Sequence, residues 1–168
     1  AGVRNIIAPK PPGDDDDRRY PTVVFVDGSA WTKPDLESGI PQLSELAREG
    51  FVVATVNHRN ASRDASAVFP AYLKDVKAAI RYLRANARRW HVDPERLGIW
   101  GTSSGGNTSL LVGLTADDPR YEDGSYATES DAVSFVVSCF PPTDMMEAID
   151  AFGNEDDPFR LHYFCPFA

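Results

Sequence analysis

Ser103 lies in Gly101-Thr102-Ser103-Ser104-Gly105, a G-x-S-x-G spacing, and two other segments with unusual residues precede it, Asp27-Gly28-Ser29-Ala30-Trp31 and His58-Arg59. A serine hydroxyl exposed on a sharp turn is a candidate nucleophile toward an acyl carbon, and small flanking residues let other backbone approach it without a Cβ in the way. Such a nucleophile needs donors for the oxyanion formed on attack. The amide of Ser104, at a helix start, is one candidate. Gly28 and Ser29, in a loop that ends an upstream strand, offer backbone amides as the second source. The same turn could instead hold an anion at a helix N-terminus, so the motif is informative only in a strand-to-helix setting.

That setting is readable along the chain. The apolar run Leu97, Gly98, Ile99, Trp100 follows a proline-containing turn and reads as a short strand, and SGGNTSLLVGLT after it reads as a helix. Upstream, VRNIIAPKPP resembles the end of an early strand, and PTVVFVDG is a β-branched run bounded by Pro21 and Gly28. Pro41 opens a short helix that carries Leu43, Leu46 and Ala47 and stops at Gly50, and FVVATVNHR, residues 51–59, reads as the next buried strand. From Phe69 through Leu73, Val76, Ile80, Leu83 and Ala87 the apolar positions advance by 4, 3, 4, 3 and 4. This spacing predicts one apolar helical face, with Lys74, Lys77, Arg81 and Arg84 left in water. Residues 131–140, DAVSFVVSCF, read as a further strand. Strands alternating with helices imply an α/β class, a mostly parallel sheet with helices on both faces, whose sites form beyond the carboxyl ends of the strands.

The segments VVFVDGSAW, FPAYLKDVKAAIRYLRANA, HVDPERLGIWGTSSGGN and CFPPTD resemble the α/β-hydrolase fold. Within it they resemble bacterial carboxylesterases related to feruloyl and acetyl-xylan esterases and to hormone-sensitive-lipase-like enzymes. The resemblance implies a serine carboxylesterase in which Ser103 is the nucleophile and Ser104, Gly28 and Ser29 supply the oxyanion amides. It implies an acyl-enzyme intermediate without metal or organic cofactor, and a small-molecule or carbohydrate ester as substrate, including acetyl or feruloyl esters of plant polysaccharide. Where the family commonly has His-Gly-Gly, this chain has Asp27-Gly28-Ser29, which alters the loop's side chains and keeps its backbone donors. Trp31, beside that loop, is expected to wall the acyl pocket, and Trp100 to serve packing. Peptidases and lipases use the same nucleophile, and a noncatalytic or truncated hydrolase-like module is the alternative from another class.

A serine hydroxyl needs a base, and the resemblance implies a carboxylate and then a histidine after the nucleophile. His162 is the one histidine downstream, preceded by Asp144, Asp150, Asp156 and Asp157. The family places acid and base on loops after further strands, and 144–168 contains no convincing strand-like run. The expectation is therefore a single partial domain over 1–168, incomplete at its C-terminus, finished by a companion C-terminal segment or covered in a homodimer. His58 and His91 precede Ser103 and read as structural.

Composition narrows the partners. With 17 Lys+Arg against 25 Asp+Glu the net charge is -8, which argues against nucleic acid and anionic membrane. Asp14 to Asp17 read as a solvated loop without a calcium-loop pattern. Cys139 and Cys165 are too few for a disulfide framework, lack metal spacing and read as buried thiols. No apolar run approaches the roughly 18 residues of a membrane span, so a soluble protein, cytoplasmic or secreted, is expected. Asn60-Ala61-Ser62 and Asn107-Thr108-Ser109 match glycosylation acceptors, a pattern too common to carry weight.

Overall fold

The segments rich in β-branched residues are extended in the computed structural model, which describes residues 2–9, 17–61 and 68–144. The strands are β1 (Gly2–Ile7), β2 (Tyr20–Val26), β3 (Val52–Asn57), β4 (Val92–Thr102) and β5 (Val136–Cys139). They form one sheet in the order β1-β3-β2-β4-β5. β2 pairs in parallel with both β3 and β4, and β4 with β5, while β1 runs antiparallel to β3. Parallel neighbours need crossovers, and α1 (Ile40–Arg48), α2 (Ala71–Ala85) and α3 (Ser104–Leu114) supply them in turn.

Pleat alternation sorts the core onto two faces. Val24, Val26, Val52, Ala54, Val56, Leu97 and Ile99 join Leu73, Val76, Ile80 and Leu83 of α2 and Val112 of α3 in one buried cluster. Each fully buried Leu, Ile or Val there contributes roughly 1.5–3 kcal/mol relative to exposure. Val23 and Val53, on the opposite pleat, are buried, as are Leu43 and Ala47 of α1, which packs on β3. Helices thus cover both faces, as the alternating pattern implies.

Three expectations are corrected. The long helix begins at Ala71, because a residue preceding proline is disfavoured in helical conformation, and Phe69, before Pro70, is 44% exposed. Lys77 and Arg81 are buried rather than wet, with Lys74 and Arg84 half-buried. Asp131 accepts from Lys77 Nζ at 2.7 Å and from Arg81 Nη1 at 2.8 Å, and Asp123 Oδ1 lies 3.0 Å from Arg81 Nη2. The connection from α3 to β5 folds over the polar flank of α2 and carries these carboxylates. It also shortens the last strand to Val136–Cys139, since Asp131 faces the two cations and exchanges hydrogen bonds with Asp117 at 2.9 Å.

Candidate active site

β4 ends at Thr102 and α3 starts at Ser104, which leaves Ser103 alone in the turn. Its backbone has φ 51 and ψ -123, a region that L-residues avoid and that costs on the order of 1–3 kcal/mol. The surrounding hydrogen bonds hold it there: the Ser103 amide donates to the Cys139 carbonyl at 2.9 Å, and its carbonyl accepts from the Asn107 amide at 3.1 Å. The side chain is half-buried, and among the described residues its hydroxyl makes no hydrogen bond. Gly105 allows the tightness. A Cβ there would lie 2.1 Å from the Val26 carbonyl oxygen, so the start of α3 rests directly on the end of β2.

The loop after β2 meets this turn. Gly28 lies so close that a Cβ on it would be 3.0 Å from Ser103 Cβ, and its amide donates to Thr102 Oγ1 at 3.1 Å. The amides of Ser29 and Trp31 both donate to Ser104 Oγ, at 3.1 and 3.2 Å. Ala30 and Trp31 have φ 49 and 56, and the Thr32 amide closes the loop on the Ser29 carbonyl at 2.9 Å. Among the described residues the Ala30 amide makes no hydrogen bond. Ser104 is buried, and its N–H, first in the helix, has no intrahelical acceptor. The structure therefore gathers Ser103, Ser104, Gly28 and Ser29 beyond the carboxyl ends of the adjacent strands β2 and β4. Trp31 is there too, but its ring, 5% exposed, packs inward with its centroid 6.1 Å from that of Tyr72.

The nearby titratable groups are set by burial. Asp27 is held above the ordinary carboxylate range by burial, although its Oδ2 accepts from the Asp35 amide at 3.1 Å. Burial pushes His58 below the usual imidazole value, and its Nδ1 is 2.9 Å from the Arg59 carbonyl oxygen. Burial likewise raises the phenol of Tyr72, 6.2 Å from the His58 ring. Arg59 is anchored on Asp75 through Nε and Nη2 at 2.9 to 3.1 Å. His91 precedes β4, at the opposite end of that strand from Ser103, with Nδ1 3.1 Å from the Arg18 carbonyl oxygen. Asp144 is exposed after β5. Asp150, Asp156, Asp157, His162 and Cys165 lie outside the described residues.

Some contributors escape a reading by motif. Asn107, whose sequence signal is a glycosylation-acceptor match, donates through Nδ2 to the Pro142 carbonyl at 2.9 Å and ties the loop after β5 to the elbow. Cys139 is half-buried, with Sγ 3.4 Å from Trp100 Nε1. The hydroxyls of Thr102 and Ser104 occupy the two unspecified positions of G-x-S-x-G, and their side-chain oxygens at those positions were the available signal. Among the described residues no helix is long and apolar enough to cross a membrane.

A strained serine between a parallel strand and a helix, faced by a loop from the neighbouring strand, defines an α/β hydrolase. Residues 10–158 match the family described as BD-FAE, and the chain belongs to that family. It is 37% identical over 103 residues to Esterase LipC of Mycobacterium tuberculosis, a match covering 61% of this chain and 25% of the relative. Esterase LipQ of the same organism is 32% identical over 147 residues, 87% of this chain and 34% of the relative. Among solved structures, a bifunctional GH43-CE protein of Bacteroides eggerthii aligns with TM-score 0.73 and 35% identity over 84% of this chain and 19% of that one. A truncated form of a carbohydrate esterase from gut microbiota aligns with TM-score 0.69 and 34% identity over 83% of this chain and 51% of that one. The chain spans about a quarter to a third of the length of the curated relatives it matches.

Proposed function

We propose that the protein is a serine carboxylesterase acting through an acyl-enzyme. The observation that carries this reading is Ser103 itself, a non-glycine residue at φ 51 with its hydroxyl uncommitted among the described residues. Ser103 Oγ bonds to the ester carbonyl carbon and gives its proton to a base from outside the described residues. The C–O bond to the alcohol then breaks, the alcohol leaves with that proton, and water cleaves the acyl-enzyme to the acid. The Ser104 amide holds the oxyanion together with the 28–30 loop. Gly28 contributes by exchanging its Thr102 acceptor, Ser29 supports the loop through its bond to Ser104 Oγ, and the uncommitted amide of Ala30 is the readiest donor. Trp31 backs the acyl side from beneath the loop.

Acetyl or feruloyl esters of plant polysaccharide are the proposed substrates. Support comes from the similarity to the gut carbohydrate esterase and, at 25% identity and TM-score 0.68, to an acetyl ester-xyloside bifunctional hydrolase of Caldicellulosiruptor lactoaceticus. Val137 and Phe140, at and just beyond the outer strand β5, are 44% and 76% exposed, and a companion segment or a second copy covering them fits the same reading. The test is labelling of the full-length protein with a fluorophosphonate, followed by intact mass and peptide mapping. An adduct on Ser103 that is absent from Ser103→Ala is expected. No adduct, under conditions that label a control esterase, would leave a hydrolase scaffold without esterase chemistry.

A further inference from the structure

The Ser104 hydroxyl has no part in the acyl-transfer steps, yet it is the best-connected side chain at the elbow. Its Oγ accepts from the Ser29 amide at 3.1 Å and the Trp31 amide at 3.2 Å, across 75 and 73 residues of chain. Ala30 lies between them, and both Ala30 and Trp31 are left-handed without being glycine, φ 49 and 56. That conformation costs an L-residue roughly 1–2 kcal/mol, so a loop holding it twice needs a local compensating contact. Two hydrogen bonds to one buried oxygen supply it. They fix the 28–29 and 30–31 peptide planes, which bracket the 29–30 peptide, and leave the Ala30 amide carried by that peptide unspent. The same residue carries the first amide of α3, so both donor sources are attached to one buried residue, itself seated on β2 through Gly105.

We propose that the Ser104 side chain is a positioning residue for the oxyanion site: it clamps the 29–31 loop in the conformation that keeps the Ala30 amide available beside Ser103. The inference rests on the esterase reading above. A clamp of this kind acts on the transition state, because a loosened donor loop still admits the ester but no longer meets the oxyanion with aligned donors.

The experiment compares wild-type full-length protein with Ser104→Ala, using an activated acetyl oxoester and the corresponding thionoester. The expected result for Ser104→Ala is a fall in kcat of about 10- to 100-fold with KM held within about 2-fold. The oxoester-to-thionoester rate ratio should shrink as well, since sulfur accepts hydrogen bonds poorly and the ratio reports donor alignment. If Ser104→Ala does not fold, Ser104→Cys, nearly isosteric with a weaker acceptor, provides the same comparison and a smaller loss. An unchanged kcat overturns the proposal. So does a reduced kcat with an unchanged ratio, which is the mark of general structural damage. Wild-type protein that neither hydrolyses the oxoester nor labels at Ser103 overturns the esterase reading and the clamp together, whereas active wild type with an indifferent Ser104→Ala overturns the clamp alone.

Discussion

The two ends of α3 meet opposite demands. At its N-terminus the contacts are made by backbone amides and small hydroxyls: Ser103 is strained, Gly105 touches β2 backbone, and Ser104 holds a loop. At its C-terminus the contacts are made by buried charge. Lys77 Nζ donates to the carbonyl of Thr115, the residue that caps the helix, and pairs with Asp131, which Arg81 also holds. The helix dipole explains the division. Its negative end is met by a lysine, while its positive end, on the esterase reading proposed above, faces the oxyanion formed during reaction. One end costs backbone strain, the other desolvation of ions.

Changes at four positions test this contrast, beginning with the largest effect. Ser103→Gly and Ser103→Ala should each lower kcat/KM for an activated ester by about 10⁴-fold or more. Chemical denaturation should find the glycine variant more stable than the alanine one by about 1 kcal/mol, because only glycine releases the strain at φ 51. Equal stabilities would show that the turn stores none. At the other end, Asp131→Ala strands Lys77 and removes one of the two carboxylates on Arg81, residues that are 0% and 1% exposed, and should cost about 3–5 kcal/mol in a denaturant titration. The fraction still folded should keep its Ser103 labelling rate. A matching drop in labelling would mean that the two ends are coupled.

Gly105→Ala should lower stability by about 1–3 kcal/mol and slow Ser103 labelling, since the new Cβ would meet the Val26 carbonyl at 2.1 Å and push α3 off the sheet. Slower labelling without loss of stability would place the strain in the turn alone. The smallest effect concerns pH. Burial depresses the pKa of His58, so the neutral ring is favoured in the folded protein. Its contribution is complete above the ordinary imidazole value of about 6.5 and is lost as the pH falls below that value and through the depressed one. The thermal midpoint should therefore drop between about pH 7 and pH 5, and more shallowly in His58→Gln. Parallel curves for the two proteins would remove His58 from the account.

Local information was enough for much of this protein. β-Branched runs, the proline and glycine that bound them and the apolar spacing on α2 follow from neighbours a few residues apart, so the order of strands and helices is written along the chain. The elbow is too, because a strand, a turn and a helix in sequence already specify where Ser103 must sit. Tertiary structure decided the rest. Lys77 and Arg81 are polar by residue type, and only the later connection bearing Asp123 and Asp131 makes their surroundings an interior. Trp31 is placed beside the loop by the sequence, and only the tertiary structure sets its ring against Tyr72. The Ser104 hydroxyl gains its partners because the register that pairs Val26 with Gly101 brings the loop after β2 against the elbow. A hydrogen bond across 75 residues depends on that register, and no pattern confined to either segment encodes it.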